Sequence, residues 1–183
     1  MTREPNVKAA GVPYLVNKSK FDIFFSHPWR NKNVLRHVYD HLVSVGYRVW
    51  YDENEMGWDL KKSMQEGITN SKVVLVCLNQ AYEASKNCMH ELIESSKIDK
   101  TIFTLATEAE PLTWAGKNTK YGDVKALCQL ESYMFIDIGK ICEHPSWNSP
   151  PVDTTLLCEL KNEVDKLVKY FKGVNCRPVF GNI

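Results

Sequence analysis

Short apolar runs alternate with apolar positions at helical spacing along most of the chain. Phe21-Asp22-Ile23-Phe24-Phe25 has the length of a strand and ends at Ser26-His27-Pro28, where Pro28 forbids a central ladder position. Val34, Leu35, Val38, Leu42 and Val45 recur at helical spacing and Gly46 follows as a stop, which predicts an amphipathic helix from about Asn31 to Val45. Tyr47 to Tyr51 reads as a second strand. A polar loop from Asp52 to Asp59 separates it from a second helix carrying Leu60, Met64, Gly67 and Ile68. Val73-Val74-Leu75-Val76-Cys77-Leu78 is continuously apolar, the pattern of a central parallel strand covered on both faces. Ser85, Lys86 and Asn87 supply cap chemistry for a helix from near Cys88, and Thr101 to Leu105 is a fourth strand. Residues 106–131 form a long connection with one short helix from about Val124 to Leu130. Tyr133 to Asp137 is a fifth strand, and Leu156, Leu157, Leu160, Val164, Leu167, Val168 and Phe171 mark the core face of a last helix.

Strands alternating with helices imply a parallel sheet covered on both faces. The expected architecture is an α/β, flavodoxin-like three-layer sandwich with five parallel strands in the order 2-1-3-4-5. In that order strands 1 and 3 flank the topological switch point, so a ligand belongs where the following loops, residues 26–31 and 79–90, splay apart. Residues 1–20 read as an N-terminal arm, 21–172 as one domain and 173–183 as a C-terminal tail.

Composition adds exclusions. Hydrophobic residues make up 44% and charged residues 25% of the 183, so the chain has the material for a core. A net charge of +1 without a basic run gives no electrostatic case for nucleic acid or an anionic membrane. No apolar stretch approaches the roughly 20 residues a membrane span needs. The first residues have no apolar run of the signal-peptide kind, and six widely spaced cysteines read as reduced thiols of a cytoplasmic protein.

The ordered segments resemble the Toll/interleukin-1 receptor (TIR) domain family across about residues 20–172. Phe21 to Ser26 looks like the family's opening strand. Tyr47 to Asp52, the loop ending at Gly57, Ile68-Thr69-Asn70-Ser71 and the strand 73–78 resemble its second strand, BB loop, second helix and third strand. Tyr82, Ser85, Cys88 and Glu91-Leu92 resemble its signature of a tyrosine, a serine, a cysteine and a Glu-Leu pair. Two positions depart from common patterns. Asn87 stands where many members carry tryptophan, and Met56 precedes Gly57 where receptor-type domains usually have proline. The second departure is closer to the plant and NAD-consuming branches than to the receptor-adaptor branch.

The enzymatic branch cleaves the nicotinamide–ribose bond of NAD with one glutamate in the third helix, and by motif position the resemblance makes that residue Glu91. A carboxylate beside an oxocarbenium-like centre is suited to such a cleavage, and cationic nicotinamide leaves as a neutral amide without a general acid. Topology points to Glu91 independently, because the residue lies just beyond the third strand, beside the expected crevice. The plainer reading is a solvated glutamate complementing a helix dipole. Ser26, His27 and Arg30 form, with Trp29, a loop at the carboxyl end of strand 1 where a pyrophosphate could meet N–H groups and a guanidinium, although Ser26 or Asn31 could equally be a simple cap. Trp29 and Trp58 offer aromatic faces for adenine or nicotinamide, with packing the favoured role for Trp29. His27, His37, His41 and His144 read as surface or capping residues, and Cys88 with His90 gives no metal site.

These observations lead to an expected NAD+ hydrolase yielding nicotinamide and ADP-ribose or a cyclic form, in innate-immune or cell-death signalling, with NAD+ as substrate and no resident cofactor. By family analogy it self-associates through a BB loop of Glu53, Asn54, Glu55, Met56 and Gly57. The competing reading is a non-catalytic module that signals by TIR–TIR assembly. A weaker third is a ribosyl-transferring enzyme that prefers nucleosides.

Overall fold

The computed structural model describes residues 19–30, 32–51, 60–116, 124–128, 134–135 and 154–173. In chain order the elements are β1 (Phe21–Ser26), α1 (Lys32–Ser44), β2 (Val49–Trp50), α2 (Leu60–Thr69), β3 (Ser71–Leu78), α3 (Gln80–Ala84), α4 (Lys86–Lys97), β4 (Thr101–Ala106), α5 (Pro111–Trp114), α6 (Val124–Leu127), β5 (Met134–Phe135) and α7 (Thr154–Gly173). The sheet order is β2-β1-β3-β4-β5, with every pair parallel. This is the expected flavodoxin-like α/β order, with β3 at the centre. Residues 1–18 of the arm and 174–183 of the tail lie outside the described residues.

Alternation along β1 and β3 sorts side chains between two cores, because successive strand residues point to opposite faces. Ile23 and Phe25 join Val73, Leu75 and Cys77 on the face covered by α1 and α7, where Leu35, Val38, Leu42, Leu167 and Phe171 are buried. Phe24 joins Val74, Val76 and Leu78 on the other face, against Met64 and Ile68 of α2, Tyr82 of α3, and Met89 and Leu92 of α4. Both faces of β3 are thereby covered, which is why its sequence is apolar without alternation.

Several boundaries differ from the periodicity-based expectation for local reasons. The second strand is confined to Val49–Trp50, because the amide of Tyr47 donates to the carbonyl of Leu42 and that of Arg48 to the Asp22 carboxylate. The same Tyr47 bond, with Gly46 N–H to Val43 O, closes α1, and Gly46 adopts φ 96°, a left-handed conformation that favours glycine. The expected loop 79–90 is mostly helical: Asn79 caps α3 by accepting from the Tyr82 amide at 2.8 Å, and Ser85 caps α4 by accepting from the Cys88 amide at 3.3 Å. In the connection after β4, Pro111 starts the unforeseen one-turn helix α5.

At the amino end of β1, Asp22 is fully buried and receives Arg48 Nε and Nη2 at 3.1 and 3.0 Å and Lys72 Nζ at 2.7 Å. Burial alone would raise its carboxyl pKa; these cations and the Arg48 amide outweigh it and hold the pKa below the ordinary value. The cluster is at the opposite end of β1 from Ser26 and ties β1, β2 and β3 together.

Candidate functional site

The carboxyl ends of β1 and β3 bring together residues distant in sequence. Ser26 is the last residue of β1 and is buried. Its hydroxyl donates to Glu91 Oε2 at 2.5 Å and lies 2.7 Å from the hydroxyl of Tyr82. Glu91 is in the second turn of α4 and only 8% exposed, so it is not the freely solvated helix-dipole glutamate that the plainer reading offered. Its position follows from α4, whose Cys88, Met89 and Leu92 pack into the core around it. The neighbouring turn adds a tie to β1, for the Cys88 thiol donates to the carbonyl of His27 at 3.5 Å.

Tyr82 is fully buried, and its phenol is pushed well above the ordinary pKa by burial, reinforced by Cys88, Glu91 and Cys128 nearby. It is therefore a neutral hydroxyl across the physiological range. Asn79, which caps α3, also donates from Nδ2 to Thr107 Oγ1 at 3.0 Å, and the Thr107 amide donates to Leu78 O at 2.9 Å. Hydrogen bonds thus run from the end of β4 through Asn79 to Tyr82, Ser26 and Glu91. Sequence reading assigned Tyr82 only to a motif; nothing local reveals a hydroxyl contact 56 residues away.

The expected substrate residues divide into two groups. Ser26 and Glu91 are joined directly, whereas Trp29 and Arg30 are exposed on the turn that leads into α1. Trp29 is 64% exposed with the Lys32 ammonium 4.6 Å from its ring centroid, so it does not pack into the core of its own domain. His27 is buried, correcting its reading as a surface or capping residue. Its ring stacks on Tyr51 at 4.8 Å and packs against Phe25 at 5.3 Å, while Nδ1 lies 3.2 Å from Pro28 O. The apolar wall continues from Tyr51 to Tyr39, 4.7 Å away. Trp58 and the BB-loop residues Glu53, Asn54, Glu55, Met56 and Gly57 lie outside the described residues.

A third buried carboxylate, Glu83 of α3, accepts from the Gly116 amide at 2.6 Å. Burial raises its pKa, with Glu108 adding to the rise and the Gly116 bond and Lys125 opposing it. It anchors the turn after α5. Among the described residues no group of three or more His, Cys, Asp and Glu side chains is placed to hold a metal ion.

The family model described as TIR domain matches residues 23–130, more than half of the chain. The chain belongs to the TIR domain family. Among solved structures it is similar to the TIR domain of the Toll-related receptor TRR-2 from Hydra magnipapillata, with 11% identity and a TM-score of 0.52 over 78% of this chain and 100% of that one. It is also similar to the TIR domains in the activated Roq1 resistosome recognising the pathogen effector XopQ, with 18% identity and a TM-score of 0.49 over 81% of this chain and 83% of that one. No curated protein is a significant sequence match. The Hydra likeness bears on the fold alone. No described helix of the chain is long and apolar enough to cross a membrane.

Proposed function

We propose that this TIR domain is an NAD+ hydrolase with Glu91 as its catalytic carboxylate. One observation carries the reading: Glu91 is buried at the carboxyl edge of β1 and β3, where the sheet's topological switch lies, and is held there by Ser26 rather than turned into solvent. In the reaction the bond from ribose C1′ to the pyridinium nitrogen breaks, and its electron pair neutralises that nitrogen as nicotinamide departs. Glu91 faces the cationic sugar centre and stabilises it electrostatically. Water adds to C1′ and loses a proton to give ADP-ribose; capture by a nucleophile within the ADP-ribose moiety gives a cyclic product instead.

Trp29 and Arg30, exposed on the turn after β1, are assigned to the adenine and pyrophosphate. The chain acts in the cytoplasm, in innate-immune or cell-death signalling, and self-associates so that the BB loop of a neighbouring copy completes the site. The test is chromatographic detection of nicotinamide and ADP-ribose from NAD+ over a range of concentrations of the purified chain. Product that rises more steeply than protein concentration supports hydrolysis by an assembly. No product at any concentration overturns the reading in favour of a TIR–TIR interaction module.

A further inference from the structure

The hydroxyl chain behind Glu91 has a defined direction. Ser26 has one hydroxyl proton and uses it to donate to Glu91 Oε2 at 2.5 Å. The 2.7 Å contact between the Ser26 and Tyr82 hydroxyls must then be donated by Tyr82. Tyr82, a fully buried neutral phenol, carries the proton this requires. A phenylalanine would fill the same apolar space between β3 and α4, so core packing alone gives no reason for the phenol oxygen to lie there. Tyr82 is also fixed from behind, because its amide donates to the Asn79 side chain, itself held by Thr107 at the end of β4.

We propose that Tyr82 is a positioning residue that acts through Ser26 to hold the Glu91 carboxylate at one orientation beside the ribose. Ser26 on this view is a support for the carboxylate rather than a ligand of the substrate pyrophosphate. The proton-ordered path from Tyr82 through Ser26 to Glu91 is formed before substrate arrives, and a carboxylate ending such a chain is held more firmly than by a single bond. Sites of this kind need orientation within about 10–20°, so loosening the chain reduces turnover more than substrate affinity.

The assignment rests on Glu91 being the catalytic carboxylate, so nicotinamide release by the wild-type chain is measured first. A silent wild-type chain overturns that reading and this assignment with it. With an active wild type, kcat and KM are compared for Tyr82→Phe, Ser26→Ala, Ser26→Thr and the Tyr82→Phe/Ser26→Ala double variant, each checked by thermal melting. The expected result is a fall in kcat of about 10-fold for Tyr82→Phe and up to about 100-fold for Ser26→Ala, with KM within about twofold. Ser26→Thr, which keeps the hydroxyl, is expected to recover most of the Ser26→Ala loss. Because Tyr82 acts through Ser26, the double variant should be no slower than Ser26→Ala alone. Wild-type kcat in Tyr82→Phe, or a full further Tyr82→Phe loss in the Ser26→Ala background, overturns the assignment while leaving Glu91's role intact.

Discussion

Replacing Gly67 with alanine adds one methyl group to a helix that, by intrinsic propensity alone, should gain about 1 kcal/mol from it. The surroundings oppose that gain. A Cβ on Gly67 would lie 2.7 Å from Cε2 and Nε1 of Trp50 and 2.8 Å from its Cδ2, distances that require something to move. The indole cannot readily retreat, because it is buried and stacked on Phe24 with centroids 4.4 Å apart and planes within 14°. Phe24 is fully buried in β1. Overpacking of a rigid core typically costs about 1–3 kcal/mol, and contact with the body of a stacked ring belongs at the upper end. Subtracting the propensity gain leaves a net loss of about 2 kcal/mol. For a chain of this length that corresponds to a melting temperature lower by about 4–8 °C. Far-ultraviolet circular dichroism melts of the two proteins test it, and Trp50→Leu in the Gly67→Ala background should remove much of the added penalty. A Gly67→Ala protein that melts at or above the wild-type temperature would refute the packing argument.

Other consequences follow from burial and charge. Asp22→Asn keeps the side-chain shape but leaves Arg48 and Lys72 without their carboxylate; since both cations reach solvent, the expected loss is about 2 kcal/mol at neutral pH, below the usual range for a fully buried pair. Because the folded-state pKa of Asp22 is depressed, its contribution is complete above the unfolded value near 4 and is lost as pH falls through the folded one; the variant's stability should therefore decline less steeply in acid, as read by denaturant melts at several pH values. Cys158 is exposed, whereas Cys77 and Cys128 are buried, the latter with its thiol pushed up to about 12 by burial. Iodoacetamide at neutral pH should modify Cys158 and leave Cys77 and Cys128 until denaturant is added, as peptide mass spectrometry will show. Trp29→Ala should change stability by no more than about 0.5 kcal/mol while raising KM for NAD+ several-fold, and an unchanged KM would remove Trp29 from the site.

The fold was legible because each layer leaves a local mark. Val73 to Leu78 is apolar on both faces, α1 carries a clean stripe ending at Gly46, and the alternation of such segments admits few sheet orders. The extent of β2 was less legible, because the amides of Tyr47 and Arg48 are taken by a helix end and an aspartate rather than by the ladder. Short helices such as α3 and α5 are made by a cap or a proline and are too brief to show a period. At the candidate site, the place of Glu91 beyond β3 was legible from its motif. Its support was not, because Ser26 and Tyr82 become neighbours only when β1 and β3 pair, 56 residues apart in the chain. His27 looked like an ordinary loop histidine because its aromatic partner Tyr51 belongs to another part of the chain.

The proposed chemistry turns on one carboxylate. Glu91→Gln retains an oxygen to accept from Ser26 and nearly the same volume, but removes the charge proposed to face the ribose cation. With folding verified by melting and NAD+ binding by calorimetry, nicotinamide release at saturating NAD+ is the decisive measurement. The expected rate is at least about 1,000-fold below wild type with substrate binding retained. A Glu91→Gln chain that releases nicotinamide within a few-fold of the wild-type rate would contradict it.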